Sequence, residues 1–299
     1  MEAFLDFWAA YGSTVTFSMV NAFFALSTYA VLSAGVLSFT TVTFAAVGGF
    51  LAANMVGNFG LSIYAAFFLS AVGGGLASAI VATLFLRLES HWMALASLAL
   101  VLITRVVVLN APGLTGGVYG KVVPMSISQL DLLILLVVVT FIFYRLHNSW
   151  YGLTARAVRE DAAVASTIGI SPFRTQFIAF IVSGIVGGLG GAAMAFTLQF
   201  ISPETYFVGM AFTMLASTVL GGSFHWFGPI VGALIFTALP ATMQAVVPAI
   251  EDVAKGIALV LIMVFLPRGL IDPRAVGLRR AAKLREEREK RAAGENANG

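Results

Sequence analysis

RLHNSWYGLTARAVREDAAVASTIGISPFR, residues Arg145 to Arg174, is the one long charged interval between two hydrophobic masses. Arg145, Arg156, Arg159, Glu160, Asp161 and Arg174 lie within it, whereas no charged residue occurs from Phe7 to Leu86. Its pattern predicts a short helix over Ala155–Ile168. Thr154 is placed to cap the start, helix formers fill the interior, and Gly169 supplies a left-handed stop. Ser171-Pro172 then opens the next helix, with proline in a first turn where its missing N–H costs nothing. The four arginines of the interval put it on the cytoplasmic side by the positive-inside rule. Chemistry alone leaves a solvated connector between membrane helices as one reading of it.

Composition supports the membrane setting. The 299 residues are 59% hydrophobic and only 10% charged, against about 25% charged in soluble domains. Long continuous apolar runs favour an all-α polytopic bundle over a barrel, whose strands would alternate. Nine of the 17 Lys and Arg lie from Arg268 onward, so the net charge of +3 belongs mainly to the tail. No basic surface for nucleic acid is left in the rest. The absence of cysteine excludes disulfides, thiolate catalysis and cysteine-ligated metal. The opening MEAFLDFWAAYG has two acids and no Lys or Arg, unlike a cleavable signal peptide.

Hydropathy predicts spans at 14–34, 36–56, 61–86, 88–109, 130–146, 175–199, 207–223, 228–248 and 253–270, each long enough or nearly so to cross. Arg87, the central loop and the tail fall on one side, Lys121 on the other, and Arg105 near the outer end of its span, where it can snorkel. Nine spans put the N-terminus outside and the C-terminus in the cytoplasm. Ten, with residues 1–12 contributing, fit the hydropathy equally. The predicted organisation is a membrane domain over 1–274 and a charged cytoplasmic tail over 275–299. That tail is read as a solvated helix with a disordered end, its arginines and lysines able to touch anionic lipid.

Two stretches make poor simple spans. Residues 36–50 gather Ser38, Thr40, Thr41 and Thr43 ahead of Gly48-Gly49, and residues 212–224 repeat the pattern with Thr213, Ser217, Thr218 and Gly221-Gly222. Hydroxyls with paired glycines at matching places in two halves suit broken helices that line a pathway. Close packing through small residues is the competing reading, and Gly184, Gly187, Gly188, Gly190 and Gly191 are assigned to it. The expected pathway set is Thr40, Thr41, Thr43, Ser97, Ser217 and Thr218.

Catalytic sets are missing from the pattern. His91, His147 and His225 have no ligand-spaced partners. Ser223, two residues from His225 on a short Gly-Gly turn, does not make a supported dyad for an intramembrane protease. No Asp or Glu sits at mid-depth in a predicted span, where a carboxylate costs about 2.5–3.5 kcal/mol on insertion scales and is kept by proton-coupled carriers for a reason. Energy for transport is therefore expected from outside the chain, and no cofactor or metal is expected within it.

Several blocks, in order, resemble the M-type permease of branched-chain amino-acid ABC importers. LSFTTVTFAAVGGFLAA (Leu37–Ala53) is similar to that family's Ser-Leu-Gly-His-Ala-Ala-Phe and Gly-Ala-Tyr block. SHWMALASLALVLITR (Ser90–Arg105), the Leu114–Gly117 turn, Ser202-Pro203-Glu204, VLGGSFHWFGPIVGALI (Val219–Ile235) and Pro267–Leu270 follow, so the similarity covers about residues 30–272. The last three blocks are the most specific. The family's polar His is Thr41 here, its Tyr is Phe50, its Asp is His91 and its Glu is Leu102. Glu160-Asp161-Ala162-Ala163, with Gly169 behind it, is similar to the ATPase-docking loop of such permeases, though the spacing to Gly is longer than in the commonest form.

The resemblance implies a helical bundle of about 8–10 spans acting as the permease subunit of an ATP-driven importer by alternating access. The solute would be a branched-chain amino acid or a related small molecule. It implies a second permease of the same type, two cytoplasmic ATPase subunits and an extracytoplasmic substrate-binding protein, in a bacterial inner membrane. Arg159, Glu160, Asp161, Ala162, Ala163 and Gly169 would couple to the ATPase, and the permease itself would carry no ATPase site. An ATP-independent carrier or channel is the alternative.

Overall fold

The computed structural model describes residues 2–88 and 90–244. The expected span 253–270, the Pro267–Leu270 block and the 275–299 tail lie outside the described residues. Within them the chain is helical almost throughout. It runs α1 (Glu2–Ser33), α2 (Thr41–Gly57), α3 (Ile63–Phe85), α4 (Ser90–Asn110) and the short α5 (Pro112–Thr115). A 3-10 turn (Gly117–Tyr119) leads to β1 (Lys121–Val122), then α6 (Gln129–His147), α7 (Trp150–Glu160), α8 (Ala162–Thr167) and α9 (Pro172–Leu198). β2 (Phe200–Ile201), α10 (Val208–Gly221) and α11 (Gly228–Gln244) complete it.

Five helices are long and apolar enough to cross a membrane, within α1, α3, α4, α6 and α9; α2, α10 and Gly228–Ala238 of α11 are shorter apolar helices. These eight correspond to eight of the nine segments read from hydropathy. α2 and α10 are short where glycine and hydroxyl content interrupts the run, and α11 is described only as far as Gln244. Residues 36–40 are not helical, so the predicted span 36–56 begins as a helix only at Thr41. In the second stretch α10 continues through Thr213, Ser217 and Thr218 and stops after Gly221, with Gly222 at φ 107°.

α1 and α9 form the centre, with 67% and 61% of their apolar windows buried, while α4 and α6 have 22% each and are peripheral. Without a hydrophobic force between helices in lipid, close van der Waals approach must hold the centre together. Glycine permits it. A Cβ on Gly188 would strike the Ser70 carbonyl of α3, and one on Gly191 the Ala45 carbonyl of α2. Gly48 and Gly74 face Gly188 and Gly184 in the same way. Two buried hydroxyls bond to glycine carbonyls of this centre: Ser70 donates to the Gly48 carbonyl at 2.9 Å, and the fully buried Tyr206 donates to the Gly191 carbonyl at 2.9 Å.

α4 has little packing and is held by three polar clips. The Phe39 N–H donates to Ser97 Oγ at 3.0 Å, Thr43 and Thr104 share a 3.0 Å hydrogen bond, and Arg105 pairs with Glu204. Arg105 also lies 4.3 Å from the Phe207 ring centroid, so it is clamped by the Ser202-Pro203-Glu204 segment rather than merely extended toward water. This end of the bundle also carries the antiparallel β1–β2 pair and Lys121, whose Nζ donates to Asn54 at 2.5 Å and Asn58 at 3.3 Å. The opposite end carries the turn after α1, the α7–α8 loop and the α10–α11 turn. The 145–174 interval and Lys121 therefore sit at opposite ends, as their charge asymmetry predicts.

Candidate functional site

The loop differs from its expected form in two respects. Helix starts at Trp150, ahead of Thr154, with Ser149 at the N-cap position, and it breaks at Asp161 instead of running to Ile168. Asp161 takes extended backbone geometry, and its carboxylate accepts from the N–H groups of Ala163 (2.8 Å) and Val164 (3.0 Å). An acidic residue followed by alanines thus restarts a helix, satisfying two N–H groups that a new first turn leaves unpaired. Gly169 behaves as predicted. It has φ +84°, its N–H donates to Ser166, and Ile170 N–H donates to Ala165, the two bonds of a Schellman stop. Ser171 Oγ then accepts from Arg174 N–H, with Pro172 in the first turn of α9.

α7 packs on the bundle through Gly152, Ala155 and Val158, and α8 through Ala165. Its other face is open: Glu160, Asp161, Ala162 and Ala163 are exposed, beside Leu153, Val164 and Ile168. Arg159 turns the other way. Its guanidinium donates to the carbonyl of Ser223 and to Ser223 Oγ (2.8 Å), and lies 4.1 Å from the Phe224 ring centroid. Gly35 makes room, because a Cβ there would sit 2.9 Å from the Arg159 Cα. Burial pulls the Arg159 guanidinium below its ordinary value, the cost of setting a charge at this joint. The joint ties α7 to the end of α1 and to the turn joining α10 and α11. Beside it, the rings of His147 and His225 lie 5.3 Å apart, and Tyr144 meets Trp226 edge to face at 5.6 Å.

Sequence reasoning missed this joint, since Ser223 and Phe224 lie 64 residues or more from Arg159. The one available signal was the Gly221-Gly222 turn before them. Ser223 is engaged by Arg159, and His225 Nδ1 accepts the Phe227 N–H at 3.3 Å. Burial lowers the His225 pKa from its ordinary value, which favours the neutral ring that can accept.

Two members of the hydroxyl set, Thr41 and Thr218, meet α1. Thr218 donates to the Ala25 carbonyl (3.1 Å) and Thr28 to Thr41 Oγ1 (3.5 Å), so α10 and the start of α2 approach α1 one turn apart. Thr40, Thr41, Thr43, Ser97, Ser217 and Thr218 are all buried. Each has a partner: Thr40 with Ser38 (2.9 Å), Thr43 with Thr104, Ser97 with Phe39 N–H, and Ser217 donating to the Met214 carbonyl (2.9 Å). Among the described residues no group of three or more His, Asp or Glu is placed to hold a metal.

Residues 11–266 match the model of a family described as the branched-chain amino acid transport system permease component. The chain belongs to that family. Among individual relatives, it is 24% identical over 269 residues to the high-affinity branched-chain amino acid transport system permease protein LivM of Escherichia coli, covering 76% of this chain and 62% of that protein. The chain therefore spans less than two thirds of the length of that relative. It is 34% identical over 104 residues to the guanosine ABC transporter permease protein NupQ of Bacillus subtilis, 34% of this chain and 32% of NupQ. With the fructose import permease protein FruG of Bifidobacterium longum it shares 28% over 151 residues, 48% of this chain and 44% of FruG. No solved structure is a significant match. The relatives' names span amino acid, nucleoside and sugar, so this permease family does not fix a substrate.

Proposed function

We propose that this chain is the membrane permease of an ATP-driven importer that passes a small solute, a branched-chain amino acid or a close relative, by alternating access. The observation that carries the reading is the α7–α8 loop, with one face open and the other fastened by Arg159 to the α10–α11 turn. A partner pressing on Glu160, Asp161, Ala162 and Ala163 would displace α7, and Arg159 would pass that displacement to the turn joining α10 and α11. The partners are two cytoplasmic ATPase subunits at the loop, a second permease of the same type beside the bundle, and a substrate-binding protein at the Lys121 end. The setting is a bacterial inner membrane with the 145–174 loop and the C-terminus in the cytoplasm.

Thr40, Thr41, Thr43, Ser97, Ser217 and Thr218 are the pathway candidates. Their hydrogen bonds close the hydroxyls onto one another, and sliding α10 or α4 would free them to face a solute. A charge-free lining suits a solute released from a separate binding protein. Directionality requires that the two permease states differ in affinity, because equal binding shifts no equilibrium.

A chain without cysteine makes the test clean. Ser171→Cys should be labelled by an impermeant thiol reagent only from the cytoplasmic side, and ATPase should co-purify with the intact loop. Labelling from outside intact cells overturns the orientation. Uptake that continues with no associated ATPase favours an ATP-independent carrier.

A further inference from the structure

Away from the hydroxyl-rich side, α3 and α6 diverge over Leu189 of α9 and leave a groove of about 500 Å³. Its walls are apolar, with Phe68 and Ala71 from α3 and Ile134 from α6. Phe68 and Ile134 are 70% and 62% exposed, so the groove opens sideways from the bundle. Both helices are of membrane-crossing length. The groove's length therefore runs along hydrocarbon, and its end beside the first turns of α3 and α6 lies at headgroup depth.

That end holds the one polar feature. Asp131 lies in the first turn of α6, facing Tyr64 in the first turn of α3. The Tyr64 hydroxyl donates to Asp131 Oδ1 at 3.4 Å, a long bond. Among the described residues no Lys or Arg pairs with Asp131. An ionised carboxylate offers about four acceptor sites. The α6 N-terminus offsets part of its charge, and most of its acceptor capacity stays open toward the groove mouth. A carboxylate at headgroup depth above an apolar trough is complementary to a molecule with a compact cation at one end and a hydrocarbon chain behind it.

We propose that the groove holds an acyl chain of a phospholipid whose headgroup ends in a primary amine, the ammonium pairing with Asp131 and Tyr64. A primary ammonium brings three N–H donors to the carboxylate. A trimethylammonium headgroup carries the charge without the donors, and an anionic glycerol headgroup is repelled. This assignment needs membrane embedding alone and stands apart from the ATPase reading.

The test is native mass spectrometry of the purified full chain, equilibrated with equimolar phosphatidylethanolamine, phosphatidylcholine and phosphatidylglycerol. One phosphatidylethanolamine should be retained with a preference of roughly tenfold over phosphatidylcholine, the scale of one charge-assisted hydrogen bond. Asp131→Asn, which keeps shape and removes charge, should abolish that preference. Ala71→Trp, which fills the trough, should lower retention of all three lipids. Equal retention of the amine and trimethylammonium lipids by the unaltered protein overturns the proposal, as does full preference in Asp131→Asn. Efficient crosslinking of Phe68→Cys to a second protein chain also overturns it, since the groove would then be a subunit contact.

Discussion

Arg159→Ala tests whether the loop acts through the α10–α11 turn. The substitution removes two donors to Ser223 and the contact with Phe224 while leaving the exposed face of α7 untouched. Charge-assisted hydrogen bonds contribute about 1.5–3 kcal/mol each when buried, and a cation–π contact about 0.5–2 kcal/mol. Arg159 is half-buried, so solvent screening reduces that total to about 2–3 kcal/mol. The joined state should then lose roughly 30- to 150-fold in population relative to the parted one. ATPase should still co-purify, because the docking face is intact, but uptake per ATP hydrolysed in proteoliposomes should fall at least about tenfold. Arg159→Lys, with one charge and no planar fork, should fall between. Unchanged uptake per ATP in Arg159→Ala would refute the relay, whatever the fate of the docked complex.

Further outcomes follow from single residues. Gly169→Val should cost about 1 kcal/mol or more through its left-handed backbone alone, since a Cβ there meets nothing within 4 Å. Gly169→Asn should be milder, which loop-dependent ATPase binding will read. Gly191→Leu, driven into the Ala45 carbonyl, should destabilise by about 3 kcal/mol or more and lower the monodisperse fraction in detergent. His225 has its folded pKa lowered by burial, so the unfolded chain takes up its proton first as pH falls. Its contribution is full above the ordinary value of about 6.5 and is lost as pH drops toward the folded value. Melting temperature should fall with acid in the unaltered protein, and less so in His225→Asn.

Much of this architecture is written in local chemistry. Apolar runs announced eight helices, Gly169 announced its left-handed stop, and Ser171-Pro172 its helix start, because each depends on neighbours a few residues away. Asp161 was harder. Glu160-Asp161-Ala162-Ala163 suits the interior of a helix by propensity, and only the extended backbone at Asp161 turns the same residues into a break and a cap. The Ser223–Phe224 joint of Arg159, a residue expected in the coupling set, was hidden for a similar reason. Its partners Ser223 and Phe224, and the space above Gly35, belong to segments far away in the chain. The hydroxyl-rich stretches were visible as composition. That Thr218 and Thr41 approach one turn of α1 could not be read without the packing of α1 against both.

The backbone-to-backbone contact of α9 with α2 and α3 also sets a timetable for assembly. Gly48 and Gly74 each face a glycine of α9, so these close contacts cannot form until α9 has been made. Roughly a hundred residues of synthesis separate the end of α3 from the end of α9, or on the order of 10 s at cellular elongation rates. During that delay the nascent bundle presents glycine grooves that any small-residue helix can enter. The late arrival of Gly184, Gly188 and Gly191 makes α9 the keystone of biogenesis, and the interval before it is when an insertase or membrane chaperone has something to shield.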